Sequence, residues 1–221
     1  MAAPTTSVLD SFTVAVDAAP PSANWTRFSG FSFDVKALAA TDNATASAAS
    51  ATGGDYWNVS TFNADEEAFV TVSTLPASTE VVELFVRMQG TPSSVLSGYR
   101  LIYTHGAPGT FALQRLDSGS ATALASANQT LTAGQKLWFT AVGNTLTGYY
   151  FDGTTWNSVT TYDISADTTK YTTGGSIGLA VKNQTVRVDD FGGGSIVSGG
   201  SSGNASHFSP HTRFFRMKGK H

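Results

Sequence analysis

Residues 174–194 read GGSIGLAVKNQTVRVDDFGGG, and this stretch decides the fold of the chain. It begins with a double glycine and a short apolar run (177–181), passes through the polar turn 182–184, and continues as an alternating segment (186–191) that stops at three glycines. Apolar residues at every second position favour a strand, and glycine or polar residues between two such runs favour a turn. The stretch therefore predicts two antiparallel strands.

The other end of the chain carries a related signature. Residues 9–12 (Leu-Asp-Ser-Phe) place an aspartate close to a phenylalanine, as residues 189–191 (Asp-Asp-Phe) do. We infer that the first and last strands lie side by side. The chain between them would then form one closed unit.

These motifs resemble the concanavalin A-like and laminin-G-like jelly rolls. The resemblance lies in Gly-Ser-Ile-Gly-Leu (175–179), Val-Arg-Val-Asp-Asp-Phe (186–191) and Asp-Ser-Phe (10–12), and the hairpin 138–156 is similar to the late strands of that family. The resemblance implies an all-β, two-sheet antiparallel jelly-roll sandwich. It implies no single function, because the family includes lectins, glycosidases, adhesion modules and non-catalytic modules on virus particles.

The composition agrees with one β-rich domain. With 221 residues and 41% hydrophobic content the chain can bury a full core, and only 13% of its residues are charged. Cysteine is absent, which excludes disulfides and thiolate metal sites. The sequence starts without the pattern of a secretory signal, and no segment has the ~18 apolar residues that a membrane crossing needs. We therefore expect synthesis in a cytoplasm, without secretion.

Four segments are predicted: an N-terminal arm (1–7), the sandwich (8–196), a Gly/Ser linker (197–206) that is flexible by composition, and a basic-aromatic tail (207–221). The tail holds four basic residues and no acid. The rest of the chain is left with nine basic against sixteen acidic residues, a net charge of −7. The tail and the sandwich are therefore electrostatically different.

Short strands are predicted along the sandwich. Residues 8–16 and 31–35 alternate strictly, whereas the Ala/Thr/Ser-rich residues 37–54 predict a long loop or a weak edge strand. Gly143-Asn144 and Asp152-Gly153 predict tight hairpin turns, because these residue types tolerate the positive φ angles that such turns require.

The predicted strand 80–89 has two different faces. The even positions from Val82 to Met88 are apolar, whereas the odd positions from Val81 to Arg87 mix apolar and charged residues. Side chains alternate between the two faces of a strand. The pattern predicts that one face packs in the core and that the other lines a groove.

No catalytic residues are predicted, and an enzyme is not expected. Glycoside hydrolysis needs two carboxylates about 5 to 10 Å apart. Asp65-Glu66-Glu67 is contiguous, so its neighbouring side chains would point to opposite faces, and we expect a solvated turn there. Three of the four histidines lie in the tail and His105 lies in a Gly/Pro turn, which leaves a Ser-His-Asp triad without a scaffold.

Calcium is allowed by the sequence, although no cofactor is required. The lectin-like members of the family often hold calcium with carboxylates and backbone oxygens, and Asp10, Asp189 and Asp190 would converge if the terminal strands pair. The alternative is that an aspartate before a core phenylalanine caps the end of a strand by hydrogen bonding.

Glycan binding would use exposed aromatic rings with polar neighbours. Trp57 and Tyr99 are the candidates for this role. Trp138 and Trp156 occur in strongly alternating strands and are expected in the core.

The tail is expected to bind a partner protein. Aromatic residues and arginine are enriched at the centres of protein interfaces, and a Gly/Ser tether would let the tail reach a neighbouring subunit. The residues expected to make this contact are Phe208, Arg213, Phe214, Phe215, Arg216 and Lys218. The alternative is a disordered basic tail, or one that contacts nucleic acid non-specifically.

The chain is rich in Ser, Thr, Ala and Gly, lacks cysteine and the pattern of a secretory signal, and joins a jelly roll to a tethered tail. In this combination it resembles virion proteins of tailed bacteriophages. The hypothesis is a non-catalytic capsid decoration or minor capsid protein that is anchored to a major capsid or tail protein and contacts host glycans. A homo-oligomer is compatible with it, and neither a membrane nor nucleic acid is the expected partner. The alternatives are a free lectin-like carbohydrate-binding module and a tail-associated adhesion protein.

Overall fold

The computed structural model describes residues 3–197, and their regular structure is β-strand. The strands in this part of the chain are β1 (Val8–Asp10), β2 (Trp25–Arg27), β3 (Val35–Leu38), β4 (Asn43–Ala46), β5 (Thr52–Trp57), β6 (Glu66–Thr74), β7 (Val81–Met88), β8 (Gly98–Thr104), β9 (Thr110–Asp117), β10 (Ser120–Asn128), β11 (Lys136–Val142), β12 (Thr145–Phe151), β13 (Trp156–Asp163), β14 (Ser176–Lys182) and β15 (Arg187–Ser195). Within residues 3–197 no helix has the length and hydropathy needed to span a membrane.

The strands form two antiparallel sheets, which confirms the predicted all-β jelly-roll sandwich. The eight-stranded sheet has the order β13-β12-β11-β6-β15-β4-β3, with β1 paired to β15, and the seven-stranded sheet has the order β10-β9-β8-β7-β14-β5-β2. The main core lies between the sheets and includes the fully buried Leu84, Phe139 and Leu179. Alternating side chains place one face of each strand in this core.

The pairing of the first and last strands is confirmed. Val8 lies opposite Gly192 and Asp10 lies opposite Phe191. The hairpins at residues 143–144 and 152–153 are confirmed as well, since β11 pairs with β12 and β12 pairs with β13.

Two of the predicted strand boundaries are wrong. β1 ends at Asp10, because Phe12 has a φ of 52° and the Asp10 carboxylate accepts a hydrogen bond from the Phe12 N–H at 2.7 Å. The predicted strand 31–35 is mostly irregular, and β3 begins only at Val35.

Of the two alternatives predicted for residues 37–54, the long loop is wrong and the weak edge strand is nearer, since β3 and β4 lie at one edge of the eight-stranded sheet. This stretch contains β4 and parts of β3 and β5, and Ala37, Ala44 and Ala46 are fully buried. Small side chains give little strand propensity, but they fit where the two sheets pack closely.

A second, smaller apolar cluster covers the outer face of the seven-stranded sheet. Phe28 and Phe31 lie on this face over Gly54 and Gly178. A Cβ at Gly178 would come within 2.5 Å of the Phe28 ring, and one at Gly54 within 2.9 Å of the Phe31 ring. The glycines therefore let the 28–33 loop pack against the sheet, where it forms a wall of the groove described next.

Candidate functional site

A groove of about 630 Å³ crosses the outer face of the seven-stranded sheet. We call it the Arg100 groove. Its floor comes from β7, β8 and β9, and its walls come from the 28–33 loop and from residues 94–96 and 118–119. The volume lies within the ~300–1,000 Å³ typical of small-molecule sites. The groove predicted from the mixed face of residues 80–89 is confirmed at Glu83 alone, since Phe85 and Arg87 are fully buried and do not line it.

Two polar side chains of the floor, Glu83 and Arg100, are joined to each other, and Arg100 is also held by Gln114 on β9, which is not among the lining residues. Arg100 donates from Nη1 to Glu83 Oε2 at 2.8 Å, and from Nε and Nη2 to Gln114 Oε1 at 3.0 and 2.7 Å. Arg100 lies directly opposite Gln114 in the pairing of β8 with β9, so the sheet register brings the two side chains together. Arg100 is held in one orientation by contacts on two neighbouring strands.

The ion pair of the floor lies largely out of solvent. The Glu83 and Arg100 side chains are only 8% and 19% exposed. Burial raises the pKa of Glu83, and Arg100 opposes this shift through its charge and its hydrogen bond. Glu83 and Arg100 compensate each other's charge, so the floor is polar without a net charge.

The floor retains hydrogen-bonding capacity toward a ligand. Within residues 3–197, the contacts of Glu83 involve only Oε2. The groove therefore offers Glu83 Oε1 as an acceptor beside the ion pair, together with the hydroxyls of Ser32 and Ser94.

The walls combine apolar side chains with hydroxyl groups. Phe33 and Val95 are 40% and 38% exposed, and Ser32 and Ser94 also line the groove. The Ser29 N–H donates to the Pro92 carbonyl at 2.8 Å and so joins the two wall loops. An exposed ring above a polar floor is suited to a ligand with one apolar face and several hydroxyls.

The prediction that Trp57 and Tyr99 bind glycans is wrong, because both side chains are buried. Trp57 is 7% exposed and packs edge-on against Trp25 at 5.6 Å in the main core. Tyr99 is fully buried, and its hydroxyl accepts a hydrogen bond from the Tyr171 N–H at 2.9 Å. Neither side chain presents a ring face to solvent, because the strand periodicity turns both inward.

The three aspartates suggested for calcium do not form an ion site. The Asp10 carboxylate accepts hydrogen bonds from the Phe12 N–H and from Trp25 Nε1, both at 2.7 Å, and Asp189 Oδ1 accepts one from the Asp190 N–H. Within residues 3–197 no three acidic or histidine side chains are grouped as metal ligands. The capping alternative describes Asp10 correctly.

The solvated turn expected at residues 65–67 is wrong, because Glu66 and Glu67 are fully buried in β6. Glu66 accepts hydrogen bonds from the Arg87 and Gly175 N–H groups. Burial raises the pKa of Glu66 to about 7, and these two hydrogen bonds and the Arg87 charge oppose the shift. The two carboxylates point in different directions, as the alternation of neighbouring strand residues predicts.

Trp138 and Trp156 lie outside the main core, contrary to the prediction. Both project from the outer face of the eight-stranded sheet, where Trp138 stacks on Tyr149 at 4.3 Å and contacts the edge of Trp156 at 5.3 Å. A second groove, of about 360 Å³, lies beside Trp138, and we call it the Trp138 groove. Its lining residues are Ala3, Thr5, Glu67, Trp138, Thr140, Val142, Tyr149 and Ile196.

The tail residues proposed for partner binding lie outside the described residues. They are Phe208, Arg213, Phe214, Phe215, Arg216 and Lys218.

Sequence reasoning did not identify Arg100 and Gln114. Their signal is weak, because each is a single polar residue in a strand, and only the register of β8 with β9 brings them together.

Several solved structures are similar to the chain in fold. The carbohydrate-binding module CBM66 from Bacillus subtilis is 13% identical over 76% of this chain and 91% of that chain, with a TM-score of 0.51. A protein from the same organism with a galectin-like fold is 12% identical over 83% and 96%, with a TM-score of 0.54. The lumenal domain of VIP36, bound to Ca²⁺ and Man3GlcNAc, is 11% identical over 79% and 84%, with a TM-score of 0.58.

At these identities the likeness shows the fold alone, which is a lectin-like jelly-roll sandwich. The chain matches no protein-family model and no curated protein.

Proposed function

We propose that this protein is a non-catalytic carbohydrate-binding module and that its ligand is a neutral sugar bound in the Arg100 groove. The observation that carries the proposal is the Glu83–Arg100 ion pair in the floor, with Arg100 held in place by Gln114, below an exposed aromatic wall. Two of the structures with a similar fold support it, because one is described as a carbohydrate-binding module and another holds a mannose-containing glycan.

The charge of the floor favours a neutral ligand over an anionic one. The Arg100 guanidinium is already paired with the Glu83 carboxylate at 2.8 Å, so an anion would have to compete with an ion pair that is shielded from solvent. The hydroxyls of a neutral sugar can donate to Glu83 and accept from Arg100 without breaking that pair. The apolar face of a pyranose would then pack against Phe33.

The proposal assigns no hydrolysis to the groove. Hydrolysis of a glycosidic bond by the usual mechanism needs two carboxyl groups. Among the described lining residues of the Arg100 groove, Glu83 is the one acid, and it is paired with Arg100. This arrangement supports binding without turnover.

Replacing Phe33 with alanine is expected to weaken sugar binding by about tenfold, because loss of one stacking ring costs on the order of 1 kcal/mol or more. Arg100→Met should weaken binding at least as much, since it removes the group that orients Glu83 and Gln114. A glycan array with the full chain would identify the sugar, and titration calorimetry with that sugar would give the affinities.

The matched control is Phe151→Ala, which removes a partly buried ring from the opposite sheet and should leave the affinity unchanged. Equal affinity for the parent, Phe33→Ala and Arg100→Met would refute the Arg100 groove as the binding site. Absence of binding to any neutral glycan, with all variants folded, would refute the proposed function itself.

Display on a virus particle is the second candidate, and it is favoured by the charge contrast between the tail (207–221) and the rest of the chain. In this hypothesis the tail attaches the sandwich to a capsid or tail protein of a phage, and the sandwich contacts host glycans. Deletion of residues 197–221 is expected to abolish co-sedimentation with particles. Unchanged attachment of the truncated chain, measured by quantitative blotting of the pellet, would rule this candidate out.

A further inference from the structure

The Trp138 groove lies on the sheet opposite to the Arg100 groove, and the proposed sugar site makes no use of it. Its lining is mainly apolar and aromatic, and Val142 at its rim is 42% exposed. Trp138 itself is held rigidly between Tyr149 and Trp156. The groove therefore presents a preformed apolar surface on the outside of the sandwich.

A carboxylate without a cationic partner forms part of this groove. Glu67 accepts hydrogen bonds from Trp138 Nε1 at 2.9 Å and from the N–H groups of Thr5 and Thr6 at 2.6 and 2.8 Å. These donors are neutral, and within residues 3–197 no Lys or Arg nitrogen lies within 4.0 Å of Glu67. The groove thus favours a ligand that carries positive charge as well as apolar surface.

The described chain ends at this groove. Ile196 belongs to its lining, and the Ile196 N–H donates to the Asp65 carbonyl at 2.8 Å. Phe208 follows Ile196 by twelve positions. Twelve residues span at most about 40 Å when fully extended, so the length of the linker does not prevent residues 207–221 from returning to the groove.

The chemistry of residues 207–221 complements that of the groove. The segment carries Phe208, Phe214 and Phe215 with four basic residues and no acid, whereas the remainder of the chain has a net charge of −7. Phenylalanine rings suit the surface formed by Trp138 and Val142. An arginine can interact with the partly exposed ring of Tyr149, and its charge is attracted by the Glu67 carboxylate, although that group is fully buried.

We propose that the C-terminal segment 207–221 docks in the Trp138 groove of its own chain. A tether of this length gives an effective concentration on the order of millimolar, so even weak intrinsic affinity keeps the groove occupied. Any partner protein that binds the segment must first displace it from the groove. This proposal is independent of sugar binding, because the two grooves lie on opposite sheets.

Spin labelling tests the proposal directly, because the chain has no cysteine and four tryptophans. A nitroxide attached to Met217→Cys in the full chain is expected to broaden the indole N–H signal of Trp138 several-fold more than those of Trp25 and Trp57, which lie in the main core. Adding Val142→Lys should abolish this difference, because it puts a cation and a longer side chain at the rim. Val59→Lys, at another exposed valine outside the groove lining, is the matched control and should retain it.

Three results would overturn the proposal. The first is equal broadening of the core tryptophans and Trp138. The second is a difference that persists in the Val142→Lys chain. The third comes from mixing two chains, one isotope-labelled without a nitroxide and one spin-labelled. Broadening of the Trp138 signal of the isotope-labelled chain would place the segment of a second copy in the groove. If the parent chain binds no neutral sugar but shows the Trp138 effect, only the proposed function is refuted.

Discussion

Replacing Arg87 with methionine is expected to lower the free energy of unfolding by about 3–5 kcal/mol. The Arg87 side chain is fully buried, and its guanidinium donates to three backbone carbonyls: Ala64 at 2.6 Å, Tyr171 at 3.1 Å and Gly143 at 2.8 Å. Methionine fills a similar volume but donates no hydrogen bond. Three carbonyls from three separate segments would lose their partner in a site with little access to water.

Removal of the Arg87 charge lowers the free energy of unfolding further. Arg87 Nη2 lies 3.8 Å from Asp65, and its charge opposes the raised pKa of Glu66. Removing the guanidinium leaves a buried carboxyl group without its cation. Urea unfolding at neutral pH, followed by tryptophan fluorescence, would measure the difference.

Two further variants separate the causes. Arg87→Lys keeps the charge, but its ammonium group cannot reach three carbonyls at once. We therefore expect its loss in the free energy of unfolding to be more than half of the loss for Arg87→Met. Arg27→Met removes an arginine that is 48% exposed and 3.7 Å from Asp34, and it should change stability by less than ~0.5 kcal/mol. A loss below 1 kcal/mol for Arg87→Met would contradict the structural role assigned to this side chain.

Asp55 makes the stability of the fold decrease as the pH rises. It is fully buried in β5, its Oδ2 accepts a hydrogen bond from the Val35 N–H at 2.5 Å, and its Oδ1 has no partner within residues 3–197. Burial raises the pKa of Asp55 to about 8, although the hydrogen bond from Val35 opposes the shift. The folded state therefore keeps this carboxyl protonated at pH values where the unfolded chain has already lost the proton.

The sign of the effect follows from proton binding. Between the unfolded pKa of ~3.9 and the folded pKa of about 8, the folded state binds more protons, so the free energy of unfolding falls as the pH rises. From pH 5 to pH 8 we expect Asp55 to account for a loss on the order of 2–4 kcal/mol. Glu66, with a pKa of about 7, contributes with the same sign.

Asp55→Asn tests this account, because the amide can still accept from the Val35 N–H but carries no charge at any pH. The variant should show a smaller loss of stability between pH 5 and pH 8 than the parent, and should be the more stable protein at pH 8. Asp42→Asn, at an exposed position, is the control and should follow the parent curve. Parallel stability curves for the parent and Asp55→Asn would show that the carboxyl is ionised in the folded state.

The parts of the fold that the sequence predicted depend on local patterns. The hairpin at Asp152-Gly153 requires a positive φ, which glycine and asparagine or aspartate provide, and Gly153 has a φ of 104°. The mixed face of residues 80–89 indicated a groove because Glu83 alternates with apolar neighbours. In both cases the residues that carry the signal are adjacent in sequence.

The parts that sequence reasoning missed depend on partners far along the chain. Glu66 appeared solvated because its hydrogen-bond donor at Gly175 lies 109 positions away. Trp138 appeared to be a core residue because alternation shows that a strand has two faces but does not show which face meets the other sheet. Glu67 and Tyr149 bury its outward side, so a large aromatic residue is stable outside the core.

The pairing of β1 with β15 has a consequence for how this sandwich can be combined with other proteins. Strand pairing holds Val8 beside Gly192, and Ala3 and Ile196 border one groove, so the two ends of the described sandwich lie close together. A module with neighbouring entry and exit points can be placed within a surface loop of a host protein without forcing that loop apart. The same geometry would let a short bridge join the two ends and create a circularly permuted chain opened at an exposed hairpin.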